Sequence, residues 1–139
     1  MKPTVRVVAA VIYDEQRRVL VTQRPAGKAL AGQWEFPGGK LEPGEGERAA
    51  LVRELREELG LTVAAARPLR TLQHEYPERH VELSVWVVER YAGVATGLEG
   101  QRLRWEAPAA LRTLPLLPAD LPVIDWLEEM ELAGAQRAN

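Results

Sequence analysis

Glu54, Glu57 and Glu58 stand at spacings that a helix gathers onto one side. At 3.6 residues per turn their carboxylates fall within about 100° of arc. Like charges at such spacings repel, so an isolated helix would be weakened by them. A cation makes the arrangement worthwhile, and hard divalent metals prefer carboxylate oxygen. Val52, Leu55 and Leu59 occupy the opposite side, which lets the helix dock on a core while its acids face a cleft. Gly38-Gly39 precede it, and glycine lets a phosphate or a metal approach the main chain closely. The Gly38 carbonyl is one more oxygen that suits a hard metal. Magnesium held there would neutralise phosphate oxygens and acidify a coordinated water, whose proton a nearby carboxylate could take. Lys40 and Arg24, in or near the glycine turn, are cations able to neutralise further phosphate charge. The plain alternative is an acidic, solvated helix with pairs such as Arg53–Glu57.

The elements that must position these groups follow from hydrophobic period and turn residues. Val5–Tyr13 reads as a buried strand that ends in an Asp14–Arg18 turn, with Val19–Gln23 as its hairpin partner. Pro25–Gln33 contains Gly27 and Gly32 and reads as a loop, followed by a short extended Trp34-Glu35-Phe36 closed by Pro37-Gly38-Gly39. The acidic helix is expected from Glu47 to Leu59, with Gly60 as its stop. Arg70–Tyr76 and His80–Tyr91 are expected as strands joined tightly through Pro77-Glu78-Arg79. A Gly93–Gly100 loop, a strand over Leu103–Glu106 and one helical turn over Ala107–Leu111 come next. A second long helix is expected over Ala119–Leu132, with Gly134–Asn139 frayed. Strands flanking one central helix, with another at the end, imply an α/β fold with a mixed sheet between helices.

Whole-chain properties narrow the classes. A chain of 139 residues is one domain, large enough for a real core. A net charge of −2, from 18 basic and 20 acidic residues, does not suit a non-specific duplex-DNA binder. There is no cysteine, which excludes thiolate zinc sites and cysteine nucleophiles and leaves oxygen or the two histidines for any metal. His74 and His80 fall on expected strands at a spacing that matches no compact ligand set. No apolar run approaches the roughly 18 residues a membrane helix needs, so the expected location is the cytoplasm. Trp86, Trp105 and Trp126 read as core aromatics, while Trp34 stands beside a candidate substrate wall.

From Gly39 to Leu61, with Glu45, Arg53-Glu54-Leu55, Glu57-Glu58 and Gly60 between, the chain resembles the Nudix box of pyrophosphate-cleaving enzymes at every specified position. Further stretches resemble the MutT-type Nudix hydrolases: VTQR, QWEFPGGKLEPGE, YPERH followed by VVER, GLEGQ and PADLPVI. The resemblance implies an α/β/α sandwich around a mixed sheet, in a single domain. It implies a magnesium-dependent enzyme (manganese as a possible substitute) that converts a nucleoside triphosphate to a monophosphate and pyrophosphate. Water would attack the β-phosphorus, and 8-oxo-dGTP is the leading substrate. By the same resemblance Gly38, Glu54, Glu57 and Glu58 form the magnesium shell. Glu54 is the first choice as general base and Glu99 the second, with Glu99 also a metal ligand. Arg53 would position the glutamates and Glu45 would tie down the loop. Arg24 and Arg79 would contact the nucleotide, Lys40 the phosphates, and Glu35-Phe36-Pro37 would form one wall of the base pocket. Two readings stand for Glu99, the further acid or a solvated loop residue, and two for Tyr76, a base neighbour or a core aromatic.

Asp120 departs from the asparagine found in the best-known bacterial 8-oxo-guanine triphosphatases. Asparagine donates and accepts, whereas an ionised aspartate only accepts; a protonated one in a dry pocket also donates. Relatives with a PAD segment include enzymes acting on CTP or 5-methyl-dCTP. Aspartate is also well suited to cap the helix that follows. Hydrolases of nucleoside-diphosphate sugars or dinucleoside polyphosphates share the box, but YPERH and PADLPVI argue against them. A non-catalytic nucleotide sensor on the same fold usually loses the box acids, and all are kept here. The implied partner is a small nucleoside triphosphate, with no direct nucleic acid contact, no membrane, and a monomeric or homodimeric state.

Overall fold

Strand β1 (Thr4–Ile12) explains the layering. Successive side chains of a strand point to opposite faces, and here both faces are apolar. Val8, Ala10 and Ile12 join one buried cluster with Ala50, Leu51, Leu55 and Leu59 of the first helix, α1 (Glu47–Leu59). Ala9 and Val11 join the other cluster, with Val123, Ile124 and Leu127 of the second helix, α2 (Leu121–Ala138). The result is a sheet between two helices. This computed structural model describes residues 2–138, with side chains described through Gly134.

The remaining strands are β2 (Val19–Gln23), β3 (Trp34–Glu35), β4 (Gly38–Lys40), β5 (Thr62–Glu75), β6 (His80–Ala92) and β7 (Leu103–Glu106). A four-stranded sheet runs β4-β1-β6-β5, with β1 parallel to β6 and antiparallel to β4. A second, antiparallel sheet runs β3-β2-β7. Two short 3-10 helices, Pro108–Thr113 and Pro118–Asp120, lead into α2. No helix of the described residues is long and apolar enough to cross a membrane.

Three elements differ from expectation. β2 is not the hairpin partner of β1. Both edges of β1 are already occupied by β4 and β6, so past a single Tyr13–Val19 bridge the chain leaves for the second sheet. The Asp14–Arg18 turn is as expected, with the Asp14 carboxylate accepting the amides of Gln16 and Arg18.

Strand β5 starts at Thr62, well before Arg70. Ala64-Ala65-Ala66 and Pro68 have weak strand preference, but β5 is an edge strand, where bulges and proline are tolerated. Helix α2 begins at Leu121, because Asp120 belongs to the preceding 3-10 turn. It continues through Gly134, expected to be frayed, to Ala138, and Asn139 lies outside the described residues.

Candidate active site

The glycine turn and α1 are held together by the strand between them. Gly38 and Gly39 pair with Ala9 and Val8 of β1, which places the turn against the acidic side of α1. A Cβ on Gly38 would lie 1.9 Å from the Val8 carbonyl oxygen, so the strand pairing itself demands glycine there. A Cβ on Gly39 would lie 2.4 Å from the Glu54 carboxyl carbon. Glycine therefore makes the room in which the Glu54 carboxylate sits. From the other side, the Gly38 amide donates to Glu58 at 3.3 Å.

Arg53 organises one flank. Its guanidinium grips the Glu45 carboxylate at two points, each 2.8 Å. It also donates to Glu54 at 2.9 Å, to Glu57 at 3.3 Å and to the Lys40 carbonyl at 3.1 Å. A planar fork with five donors is the side chain suited to so many acceptors at once. The Arg53 hydrogen bonds hold the Glu45 carboxyl down at about 2. Glu45 in turn accepts the Glu42 amide at 3.0 Å, which ties the loop before α1 to the helix.

The opposite flank carries uncompensated negative charge. Burial, then the charges of Glu54, Glu99 and Glu35, push the Glu58 carboxyl up to about 8. Glu54 is raised too, chiefly by burial, with Arg53 opposing and Glu57 and Glu99 adding. A set of crowded carboxylates beside a backbone carbonyl is a donor set for a hard divalent ion, and these residues fit one. Among the described residues, no three acid or histidine side chains already stand at ligand distance from one point.

The acids and the glycine turn line a cavity of about 590 Å³. Glu54, Glu57, Glu58, Glu99, Gly38 and Lys40 line it together. Val7, Phe36, Leu83 and Ala119 give the same cavity apolar lining, and Tyr76 and Arg79 line it as well. The Tyr76 ring lies under the Arg79 guanidinium, 5.4 Å from ring centroid to Cζ, and its hydroxyl accepts the Ala119 amide at 3.2 Å. Tyr76 packs against the core and also lines the cavity.

Asp120 is buried at the end of this cavity, 4% exposed. Its Oδ2 accepts the Phe36 amide at 3.1 Å, and among the described residues it accepts no amide from the first turn of α2. The cap reading gives way to a long-range bond that ties the 3-10 turn before α2 to Phe36. Burial, then the charge of Glu35, pushes the Asp120 carboxyl up to about 8. Glu35, itself raised by burial, pairs with Arg24 at 2.9 Å. Arg24 also donates to the Ala29 carbonyl at 2.7 Å. Arg24 lines the cavity, but its guanidinium is engaged in holding Glu35 and the Pro25–Gln33 loop.

Two expected site residues stand apart from the cavity lining. Pro37 is buried, and its carbonyl accepts the Ala10 amide at 2.8 Å, so it braces the wall from behind. Arg53 likewise reaches the site through the acids it orients. Trp34 packs in the core, 6% exposed. Lys28 also lines the cavity, a role that a lone lysine in a loop does not announce by any pattern. Gln101 closes the GLEGQ stretch, and only the fold shows that its amide reaches α1.

The model of the NUDIX domain matches residues 8–126. A CTP pyrophosphohydrolase of Escherichia coli is 42% identical over 97% of this chain and 98% of its own. An 8-oxo-dGTP diphosphatase of the same organism is 38% identical over 90% and 97%. The solution structure of the E. coli ORF135 protein superposes with a TM-score of 0.80 at 40% identity, covering 99% of this chain and 96% of its own. With the acidic helix, the glycine turn and their cavity in place, the match over most of the chain settles the family: the chain belongs to the NUDIX domain family.

Proposed function

We propose that the protein hydrolyses nucleoside triphosphates to a nucleoside monophosphate and pyrophosphate, with magnesium as the preferred ion and 8-oxo-dGTP as the leading substrate. One observation carries this reading: a single cavity is lined by crowded acids and a glycine turn, and also by apolar and aromatic side chains with a buried carboxyl. Phosphates and their counter-ion suit the first set, a base the second. The activities named for the two E. coli relatives support it.

Glu54, Glu57, Glu58, Glu99 and the Gly38 carbonyl are the oxygens that would hold the ion. Bound there, it supplies neutralisation of phosphate charge and an acidified water. Glu54 takes the proton of the water that attacks the β-phosphorus. The bond from that phosphorus to the oxygen bridging to the α-phosphate breaks, and this oxygen leaves with the monophosphate. Arg53 keeps Glu54 aimed, Lys40 meets phosphate charge, and Arg79, Tyr76 and Phe36 hold the nucleoside.

A second reading, CTP or 5-methyl-dCTP as substrate, is favoured by the 42% identity to a CTP pyrophosphohydrolase. Asp120, with its carboxyl raised to about 8, carries a proton at neutral pH and presents a donor and an acceptor. That pair complements the amino group and ring nitrogen of cytosine, and equally the N7–H and O6 of 8-oxoguanine, as asparagine does. Purified protein with magnesium and 8-oxo-dGTP, dGTP, CTP and 5-methyl-dCTP tests both readings. Failure to release pyrophosphate from any of them sinks the proposal, and tight nucleotide binding without release would instead mark a sensor. Glu54→Gln is expected to lower kcat by roughly 10²–10⁴ with an unchanged circular dichroism spectrum. Full activity in that variant removes Glu54 from the mechanism.

A further inference from the structure

A helix ends with carbonyls that have no partner within it. At the end of α1 these carbonyls are taken up by the loop that carries Glu99. The Thr96 amide donates to the Leu59 carbonyl at 3.1 Å, and the Leu98 amide to the Glu58 carbonyl at 3.0 Å. The Gln101 side chain joins them. Its Nε2 donates to the same Glu58 carbonyl at 3.1 Å, and its Oε1 accepts the Glu99 amide at 2.9 Å. The two partners leave only one orientation of the amide, since the oxygen must face an N–H and the nitrogen a C=O.

The loop is also drawn tight upon itself. A Cβ on Gly97 would lie 2.3 Å from the Gln101 carbonyl oxygen, so this return admits only glycine. Beyond Gln101, the Arg102 carbonyl accepts the Gln23 amide of β2 at 3.0 Å, which anchors the far end. Glu99 itself is exposed, lines the cavity, and raises the proton affinity of Glu54 and Glu58. Its backbone is thus fixed to the residue whose carboxylate it must face. Glu58 becomes a hub: its carbonyl receives the loop while its carboxylate receives the glycine turn.

We propose that Gln101 is a positioning residue, which bridges the Glu99 amide to the Glu58 carbonyl and so holds the Glu99 carboxylate over the α1 acids during hydrolysis. This rests on the cavity being a hydrolytic site in which Glu99 takes part. The alternative is a bond that only closes off the helix end, with no consequence for Glu99.

The test compares the parent, Gln101→Met, Glu99→Gln and the double variant. Methionine keeps the length of glutamine and removes both hydrogen bonds. Two readouts are needed: kcat and KM on the triphosphate that the parent turns over best, and amide hydrogen exchange of Leu98 and Glu99 in the metal-free protein. Gln101→Met is expected to lower kcat about tenfold at unchanged KM, as small misplacements of reacting groups do. It should also speed exchange at Glu99, and it should lower kcat no further once Glu99 is already glutamine. An equal loss of kcat in both backgrounds overturns the proposal, as does unchanged exchange at Glu99. Full activity in Glu99→Gln removes the proposed role by removing Glu99 from the reaction. A parent that turns over no triphosphate removes the functional reading and this proposal with it.

Discussion

At the scale of single residues, Asp120 is the side chain whose neighbours changed its meaning most. A carboxyl buried beside another carboxyl holds its proton, and the Phe36 amide uses one of its two oxygens. A folded-state pKa raised from 3.8 to about 8 means that the folded protein binds the proton more tightly than the unfolded chain. Its contribution to stability is therefore complete below about pH 4 and is lost as pH rises through about 8. An asparagine side chain in its place does not titrate and would escape that loss. In thermal melts at pH 5, 6.5 and 8, Asp120→Asn should gain stability relative to the parent as pH rises. Parallel curves for the two proteins would show that Asp120 is ionised in the fold. The same variant offers a fixed donor and acceptor at every pH, so comparing its base preference with the parent's separates neutral from ionised Asp120.

At the scale of elements, the glycine turn shows two different needs met by neighbouring residues. At Gly38 the obstacle to a side chain is backbone, the Val8 carbonyl and the Ala9 Cα at 2.9 Å, and φ is +155°. The β1–β4 pairing cannot shift without losing its ladder, so Gly38→Ala should cost about 3 kcal/mol of stability, read as a lower urea midpoint. At Gly39 the obstacle is the far end of the Glu54 side chain, which can swing away. Gly39→Ala should keep most of the stability and lose activity, about tenfold or more in kcat, because the displaced group is the proposed base. Equal stability losses at both positions would contradict this division. Helix α1 repeats the theme: Leu51, Leu55 and Leu59 are fully buried on one side, while the repelling acids occupy the other. The core holds in place a charge pattern that the helix alone would resist.

At the scale of the whole molecule, two buried clusters, one on each face of the central sheet, bring together segments distant in sequence. The acids come from α1 and the Glu99 loop, the apolar lining from β1, β6, Phe36 and the 3-10 turn before α2. A ligand that binds only the folded state stabilises it by mass action, by about 2.7 kcal/mol at a hundredfold excess over Kd. Magnesium at that excess should raise the melting temperature by roughly 5–10 °C for a domain of this size. Glu58→Gln, which removes the most buried of the proposed ligands on α1, should gain clearly less. A shift of the same size in both proteins would place the ion elsewhere.

Much of this protein was legible before folding. The acidic helix and its glycine turn showed because amphipathic period and glycine chemistry are local, and the family resemblance followed from their spacing. Helix α1 lies from Glu47 to Leu59, as the period and Gly60 implied. What could not be read is what depends on long-range competition. β2 abandons β1 because other strands take both of its edges, and no local pattern records that. Strand β5 runs through an alanine-rich, proline-containing stretch because pairing with β6 outweighs weak intrinsic preference. Aspartate at 120 suits both a base contact and a helix cap, and only the fold shows that its carboxyl takes the Phe36 amide. Gln101 and Lys28 carry no signature of their own. The sequence by itself determined the chemistry available, oxygen ligands and a glycine cradle, because residue type and helical spacing suffice for that. Only the tertiary structure decided which charges share one cavity and which are buried, because proton affinity and reach depend on neighbours that are far apart along the chain.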